Sequence, residues 1–323
     1  MISKTIALLE GLAPGTYVPP GKACFDDGEL VQLAALLKKL VYSPSELRKR
    51  LQELGVNVSP ANFYSEIPMI ADVEQIHRET AGKTPYGTIF DPATLSTWLG
   101  ELMRFSAEFD PPVDAPQDSP QYRWKCMFSY SDAMAYHCFI RKLKPGKIVE
   151  VGSGFSTLIA RAACETNHCG EVVCIEPYPK AFLKGLAGVT VHEKPVQMLR
   201  PEFFNDTLAD GDILFIDSTH TVKHGSDVLH LYLTILPNIR RNIVVHVHDI
   251  HLPRVMPLHY LRDIQIYWTE QYLLYAYLLE NARDRVIFGS AYHFIYNKPQ
   301  LEAFMHGRHA AGGASLWFEH KAS

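Results

Sequence analysis

Residues 147–151, Lys-Ile-Val-Glu-Val, form an apolar run rich in β-branched side chains. The run breaks at Gly152 and Gly154 and resumes in Ser156-Thr157-Leu158-Ile159-Ala160. This order predicts a buried strand, a tight glycine turn and a helix N-terminus. Further apolar runs predict strands at 171–175, 189–192, 212–217, 242–248, 285–288 and 292–296. Helical periods predict helices at 156–166, 178–186, 222–236 and 265–280. Alternation of this kind predicts an α/β fold, a doubly wound and mostly parallel sheet with helices on both faces. Gly289-Ser290-Ala291 separates the last two strands, which are expected to form an antiparallel hairpin at the sheet edge.

The first part of the chain carries a different pattern. Leu30, Val31, Leu33, Leu36, Leu37 and Leu40 repeat with a helical period. Ser43 then reads as the N-cap of a second helix with Pro44 at its first position. A third helix is expected at 92–109, and the Pro-rich stretch 110–120 reads as a linker. Three segments follow: a helical cap or dimerisation region at 1–120, an α/β domain at 121–299 and a peripheral tail at 300–323.

Composition narrows the class. With 323 residues, 47% apolar and 20% charged, the chain reads as a globular protein needing no staples. A net charge of −4 carries no footprint for nucleic acid or an anionic membrane. The six cysteines, at 24, 126, 138, 164, 169 and 174, form no C-x-x-C pair. That disfavours a structural zinc site and suits reduced thiols. No signal peptide or 18-residue apolar span is read, so a cytosolic location is expected.

The glycine turn marks a ligand site, because in open α/β sheets ligands bind outside the carboxyl ends of the strands. Thr157 stands where the dinucleotide fingerprint has its third glycine, which argues against NAD. Glu176 ends the second strand, where a carboxylate can accept hydrogen bonds from both ribose hydroxyls. Asp217 ends the strand that begins at Asp212, on the same edge of the sheet.

These three anchors resemble the class I S-adenosylmethionine-dependent methyltransferases. Met127-Phe128-Ser129-Tyr130-Ser131-Asp132-Ala133, Ile175-Glu176-Pro177-Tyr178-Pro179, Asp217-Ser218-Thr219-His220 and His248-Asp249-Ile250 are similar to a bacterial branch of small-molecule enzymes of secondary metabolism. The resemblance implies a Rossmann-like seven-stranded sheet with the cofactor over strands one to four. It implies cofactor contacts from Tyr130, Glu150, Gly152, Ser153, Gly154, Ser156, Glu176, Pro177, Tyr178 and Asp217. Tyr130 and Tyr178 are also candidates to face a sulfonium through cation–π attraction. One departure is Lys125-Cys126, where members of the branch often carry Asn and Asp.

Two strand ends hold the remaining chemistry: Asp217, His220 and His224 after one, and His246, His248, Asp249 and His251 around the other. Three roles stay open. Asp217, Asp249 and His248 can ligate a divalent metal, an imidazole favouring Mn²⁺, Fe²⁺ or Zn²⁺ over Mg²⁺. His220 or His248, with Asp249, can act in general base catalysis. The histidines can otherwise simply orient loops, and His246, inside a strand, is expected to do so. The aromatic stretch 267–275 is read as core packing or the wall of an acceptor pocket.

The leading function is methyl transfer from S-adenosylmethionine to an oxygen or nitrogen of a small molecule, by a cytosolic enzyme of secondary metabolism that forms a homodimer through its N-terminal helices. A second reading is attack by the cofactor's own amino group, closing a small ring and releasing methylthioadenosine as in azetidine-2-carboxylate synthases. A third is a non-catalytic cofactor-binding scaffold, which has no need of acids and histidines at strand ends.

Overall fold

The structure is a computed structural model that describes residues 26–111 and 128–322. The chain divides into two compact units, one ending at Val73 and one beginning at Glu74. The first holds α1 (Asp27–Val41) and α2 (Ser45–Glu53). Asp26 caps α1 in a capping box with Glu29, each satisfying the other's backbone amide. Ser43 does not cap α2 as expected. Its hydroxyl instead donates to the Leu40 carbonyl, 2.7 Å away, closing the end of α1, and Pro44 takes the cap position. Next comes α3 (Ile70–Thr80), which the sequence pattern did not predict.

The second unit opens with α4 (Pro92–Ser106), capped by Asp91, and α5 (Tyr130–Leu143), capped by Ser129. Then follow β1 (Lys147–Val151), α6 (Phe155–Asn167), β2 (Glu171–Ile175), β3 (Val189–His192), α7 (Pro201–Thr207), β4 (Ile213–Ile216), α8 (Asp227–His230), β5 (Ile243–Val247), α9 (Glu270–Leu278), β6 (Asp284–Gly289), α10 (Ser290–Tyr296), α11 (Lys298–Phe304) and β7 (Leu316–His320). The sheet order is β3-β2-β1-β4-β5-β7-β6. The first five strands are parallel, and β7 runs antiparallel between β5 and β6.

Two strand expectations change. Residues 292–296 form a helix, α10, so there is no edge hairpin at that place. Tyr292 and His293 are buried on one side of α10 while Phe294 and Tyr296 face outward, a distribution a short aromatic run does not announce. The seventh strand comes from residues 316–320, and the tail is therefore not peripheral. Leu316, Trp317 and Phe318 are buried at the centre of the antiparallel part of the sheet. The region read as one helical cap is also divided, because Leu99 and Leu102 of α4 belong to the core of the sheet domain.

Alternation along the buried strands builds two cores. Val149, Val151, Val173, Ile175, Leu214, Ile216, Val245 and Val247 face α7, α8 and α9. Ile148, Val172, Cys174, Ile213, Phe215 and Val244 face α4, α5, α6 and α11. The same period puts Glu150 and His246 on the second face, inside the molecule. Among the described residues no helix is long and apolar enough to cross a membrane.

Candidate active site

The turn after β1 lies at the carboxyl edge of the parallel strands. Gly152 takes φ +79°, and a Cβ there would lie 1.8 Å from the carbonyl oxygen of Asp217. Glycine is thus demanded by the neighbouring strand end. Gly154 is different, because a Cβ there would meet open space. That space is a cavity of about 270 Å³ lined by Phe128, Gly152, Ser153, Gly154, Phe155, Ser156, Glu176, Lys180 and Asp217. Glu176 accepts from the backbone amides of Ser153 (3.2 Å) and Tyr178 (2.8 Å), which aims its carboxylate along the cavity wall.

Of the expected cofactor contacts, Gly152, Ser153, Gly154, Ser156, Glu176 and Asp217 therefore surround one space. Four others stand elsewhere. The Glu150 carboxylate is enclosed in the core, where it accepts from the hydroxyls of Tyr136 and Thr157. Burial pushes its pKa up to about 7 against those hydrogen bonds. Tyr130 is buried, and its hydroxyl donates to the Phe109 carbonyl. Tyr178 points into solvent, 88% exposed, and Pro177 precedes it without lining the cavity. Lys125 and Cys126 lie outside the described residues.

Beside the cavity the two strand ends converge. Phe215 pairs with His246 in the β4–β5 register, so Asp217 and His248, two residues further, emerge on the same face. The His248 amide still donates to the Ile216 carbonyl at 2.9 Å. Asp217 Oδ1 lies 3.3 Å from His220 Nε2 and 3.6 Å from His248 Nδ1. Asp249 Oδ2 lies 3.5 Å from His220 Nε2 and 3.6 Å from His248 Nδ1. One carboxylate from each strand end thus faces both imidazoles. His220 (φ 58°) and Asp249 (φ 55°) both adopt left-handed backbone, a local strain of the kind that collects at functional sites.

Two further acids complete the cluster. Glu270, at the start of α9, is buried and accepts from His220 Nδ1 (2.8 Å) and from the Tyr232 hydroxyl (3.0 Å). Asp132, in the first turn of α5, lies 3.4 Å from His248 Nε2. It also accepts from Ser290 Oγ and from the amides of Ala314 and Ser315. Burial opposes charge on His220, but Asp217 and Glu270 outweigh it and raise its pKa to about 10. Burial likewise opposes charge on His248, and Asp217, Asp249 and Asp132 raise it well above the ordinary value. Asp217 and Asp132 are desolvated too, yet the imidazoles hold both carboxyls below the usual range.

The ligand atoms of Asp217, His248 and Asp249 all lie within 4.8 Å of one another. Among the described residues neither ring nitrogen of His248 has a hydrogen-bond partner, although both are buried. His224 is exposed and outside the cluster, and His246 packs against Phe215 while pairing with Ser315 Oγ at 2.8 Å. In the aromatic stretch, Trp268 lies against His220, at 4.6 Å between ring centroids. The amides of Thr269 and Glu270 donate to the His220 carbonyl.

Sequence reasoning missed Asp132, Glu270 and Asp227. Asp132 reads as an ordinary first-turn acid, and Glu270 sits among aromatics that suggest packing. Asp227 accepts from the amide and hydroxyl of Thr219, which fixes the loop that presents His220. An acid at the head of a largely apolar helix was the available signal for Glu270.

Comparison with known proteins places this site in context. A family model described as a methyltransferase domain matches residues 149–250, the span from β1 through Asp249. An uncharacterized protein of Archaeoglobus fulgidus is 32% identical over 181 residues, covering 50% of this chain and 78% of that one. Among solved structures the chain is similar to the O-methyltransferase TomG of Streptomyces achromogenes, involved in tomaymycin synthesis and solved with S-adenosylmethionine. That likeness has 15% identity, covers 73% of this chain and 92% of the other, and has a TM-score of 0.39. It is also similar to an O-methyltransferase of Bacillus cereus in complex with S-adenosylhomocysteine, at 12% identity, 78% and 100% coverage and a TM-score of 0.37.

Proposed function

We propose that the chain, which matches a methyltransferase-domain family model over residues 149–250, is a class I S-adenosylmethionine-dependent methyltransferase that methylates an oxygen or nitrogen of a small molecule at the acid–histidine cluster. The observation that carries this reading is the position of Asp217, which lines the glycine-turn cavity and also belongs to the cluster. A nucleophile held by the cluster therefore stands at the edge of the cofactor cavity. The open space over Gly154 and the carboxylate of Glu176 fit a nucleoside, with Glu176 accepting from the ribose hydroxyls. When bound, S-adenosylmethionine supplies a methyl group on a sulfonium sulfur that departs with the C–S electron pair.

This chain's residues then have three tasks. Asp217 and Asp249, the two carboxylates that face both imidazoles, orient the nucleophile and take its proton. His220 and His248, held charged by their acids, position those carboxylates rather than act as bases. Phe128, Phe155 and the loop around Trp268 exclude water. The donor set of Asp217, His248 and Asp249 also fits a divalent cation, which would displace the proton from His248 and lower the pKa of a bound hydroxyl. A role in secondary metabolism, a cytosolic location and a homodimer belong to the same proposal. In support of the dimer, α1 and α2 bury no residue and present Leu30, Val31, Leu36, Leu37 and Leu47 outward.

The test is incubation with S-adenosylmethionine and a panel of hydroxylated and amino acceptors, before and after EDTA. Acceptor-dependent adenosylhomocysteine is expected. Methylthioadenosine formed without any acceptor would replace methyl transfer by cyclisation, and cofactor binding without turnover would favour a scaffold. Turnover that survives EDTA unchanged would remove the metal and leave the transfer standing.

A further inference from the structure

A second cavity, of about 490 Å³, lies within the sheet domain and takes no part in the cofactor site. Its walls come from the end of α3, the loop that follows Asp249, α10, and the Gly312-Gly313 approach to β7. Its volume falls in the range of small-molecule pockets.

Two parts of its wall lead toward the reactive cluster. His251, two residues beyond Asp249, lines it. Gly313 also lines it, and a Cβ on Gly313 would lie 2.4 Å from Asp132 Oδ1. Asp132 in turn faces His248. The wall of this cavity at Gly313 thus packs against Asp132, and its wall at His251 continues the chain from Asp249.

The lining has a clear chemical character. Lys83 and Arg254 contribute two positive charges, and neither has an ion pair or side-chain hydrogen bond among the described residues. No described residue lining the cavity carries a carboxylate. Leu258, Phe294 and Ile295 supply apolar lining. His251 Nε2 is buried and has no hydrogen-bond partner among the described residues. Unpaired cations on an apolar cavity select an anionic group on an apolar body, because a neutral molecule gains nothing from the charges.

We propose that this cavity is the acceptor pocket and takes a small amphipathic acid, its carboxylate or phosphate at Lys83 and Arg254 and its nucleophile toward His251 and Asp249. The proposal rests on the methyl-transfer reading for the role of the nucleophile, whereas anion binding stands by itself.

Both are tested in the full-length protein by calorimetry. The cofactor side is read as adenosylhomocysteine affinity. The acceptor side is read with 4-phenylbutyrate, 4-phenylbutyl phosphate and the neutral 4-phenylbutyramide. The anions are expected to bind at least tenfold more tightly than the amide, and the tighter anion distinguishes carboxylate from phosphate. The double variant K83Q/R254Q is expected to weaken the anions at least tenfold and to leave the amide and adenosylhomocysteine unchanged. Equal binding of amide and anions, no binding of any probe, or full anion affinity in the double variant would overturn the acceptor class. Loss of adenosylhomocysteine binding in the wild type, with anion selectivity intact, would instead overturn the methyl-transfer reading.

Discussion

Gly152 illustrates how much one residue can conceal. Its place in a strand–turn–helix pattern marks a ligand site, yet its lack of a side chain serves the backbone of Asp217. Gly152→Ala is expected to destabilise the fold by about 2–4 kcal/mol, from the clash together with the positive φ. A urea melt that superimposes on the wild type would refute that account. Glu150 is the complementary case, a buried acid whose pKa is raised to about 7 by burial. Between the unfolded value near 4.5 and 7 the unfolded chain has lost this proton while the folded chain keeps it. Stability therefore falls as pH rises through that window, by on the order of 3 kcal/mol. Glu150→Gln abolishes this slope, so its stability relative to wild type should improve from pH 5 to pH 8. Denaturant melts at the two pH values measure the difference, and a constant offset would contradict it. The sequence marks Glu150 as polar at a strand position, but only the alternation of β1 against Tyr136 and Thr157 shows that it faces inward.

At the scale of elements, the site is made by the ends of β4 and β5 and held by the start of α9. The strand ends were legible, because an apolar run that stops at Asp217 or His248-Asp249 announces a carboxyl edge. The contribution of α9 was not, because Glu270 lies 50 residues beyond His220 and meets it only after the chain returns across the loop. Glu270→Gln removes the charge that faces His220 and leaves a buried imidazolium less compensated. It should cost about 3 kcal/mol of stability and lower turnover with an acceptor at least tenfold, while adenosylhomocysteine affinity stays within twofold. Unaltered turnover would show that His220 needs no partner to do its work.

For the molecule as a whole, the last strand is the decisive feature. β7 enters between β5 and β6, and the segment leading to it supplies the Ala314 and Ser315 amides that hold Asp132. One segment thus completes both the sheet and the cluster. A chain ending at Ala311 should lose cooperative unfolding, because β5 and β6 would each be left with an unpaired buried edge. Circular dichroism during thermal melting checks this, and a sharp transition near the wild-type midpoint would contradict it. Local pattern had assigned these residues to a tail, since five residues after a Gly-Gly turn carry little signal alone.

What the sequence determined by itself is local: the parallel strands β1 to β5, the glycine turn, the carboxylate of Glu176 and the acids and histidines at two strand ends. Each rests on periodicity or on a residue type that a neighbouring few positions explain. Only the tertiary structure decided which acids meet which imidazoles, that β7 closes the sheet, and that Lys83 and Arg254 share a cavity next to the cluster. Those outcomes depend on pairings across tens to hundreds of residues. Such pairings are selected by the burial of whole faces and the satisfaction of buried charges, and no window of sequence contains them.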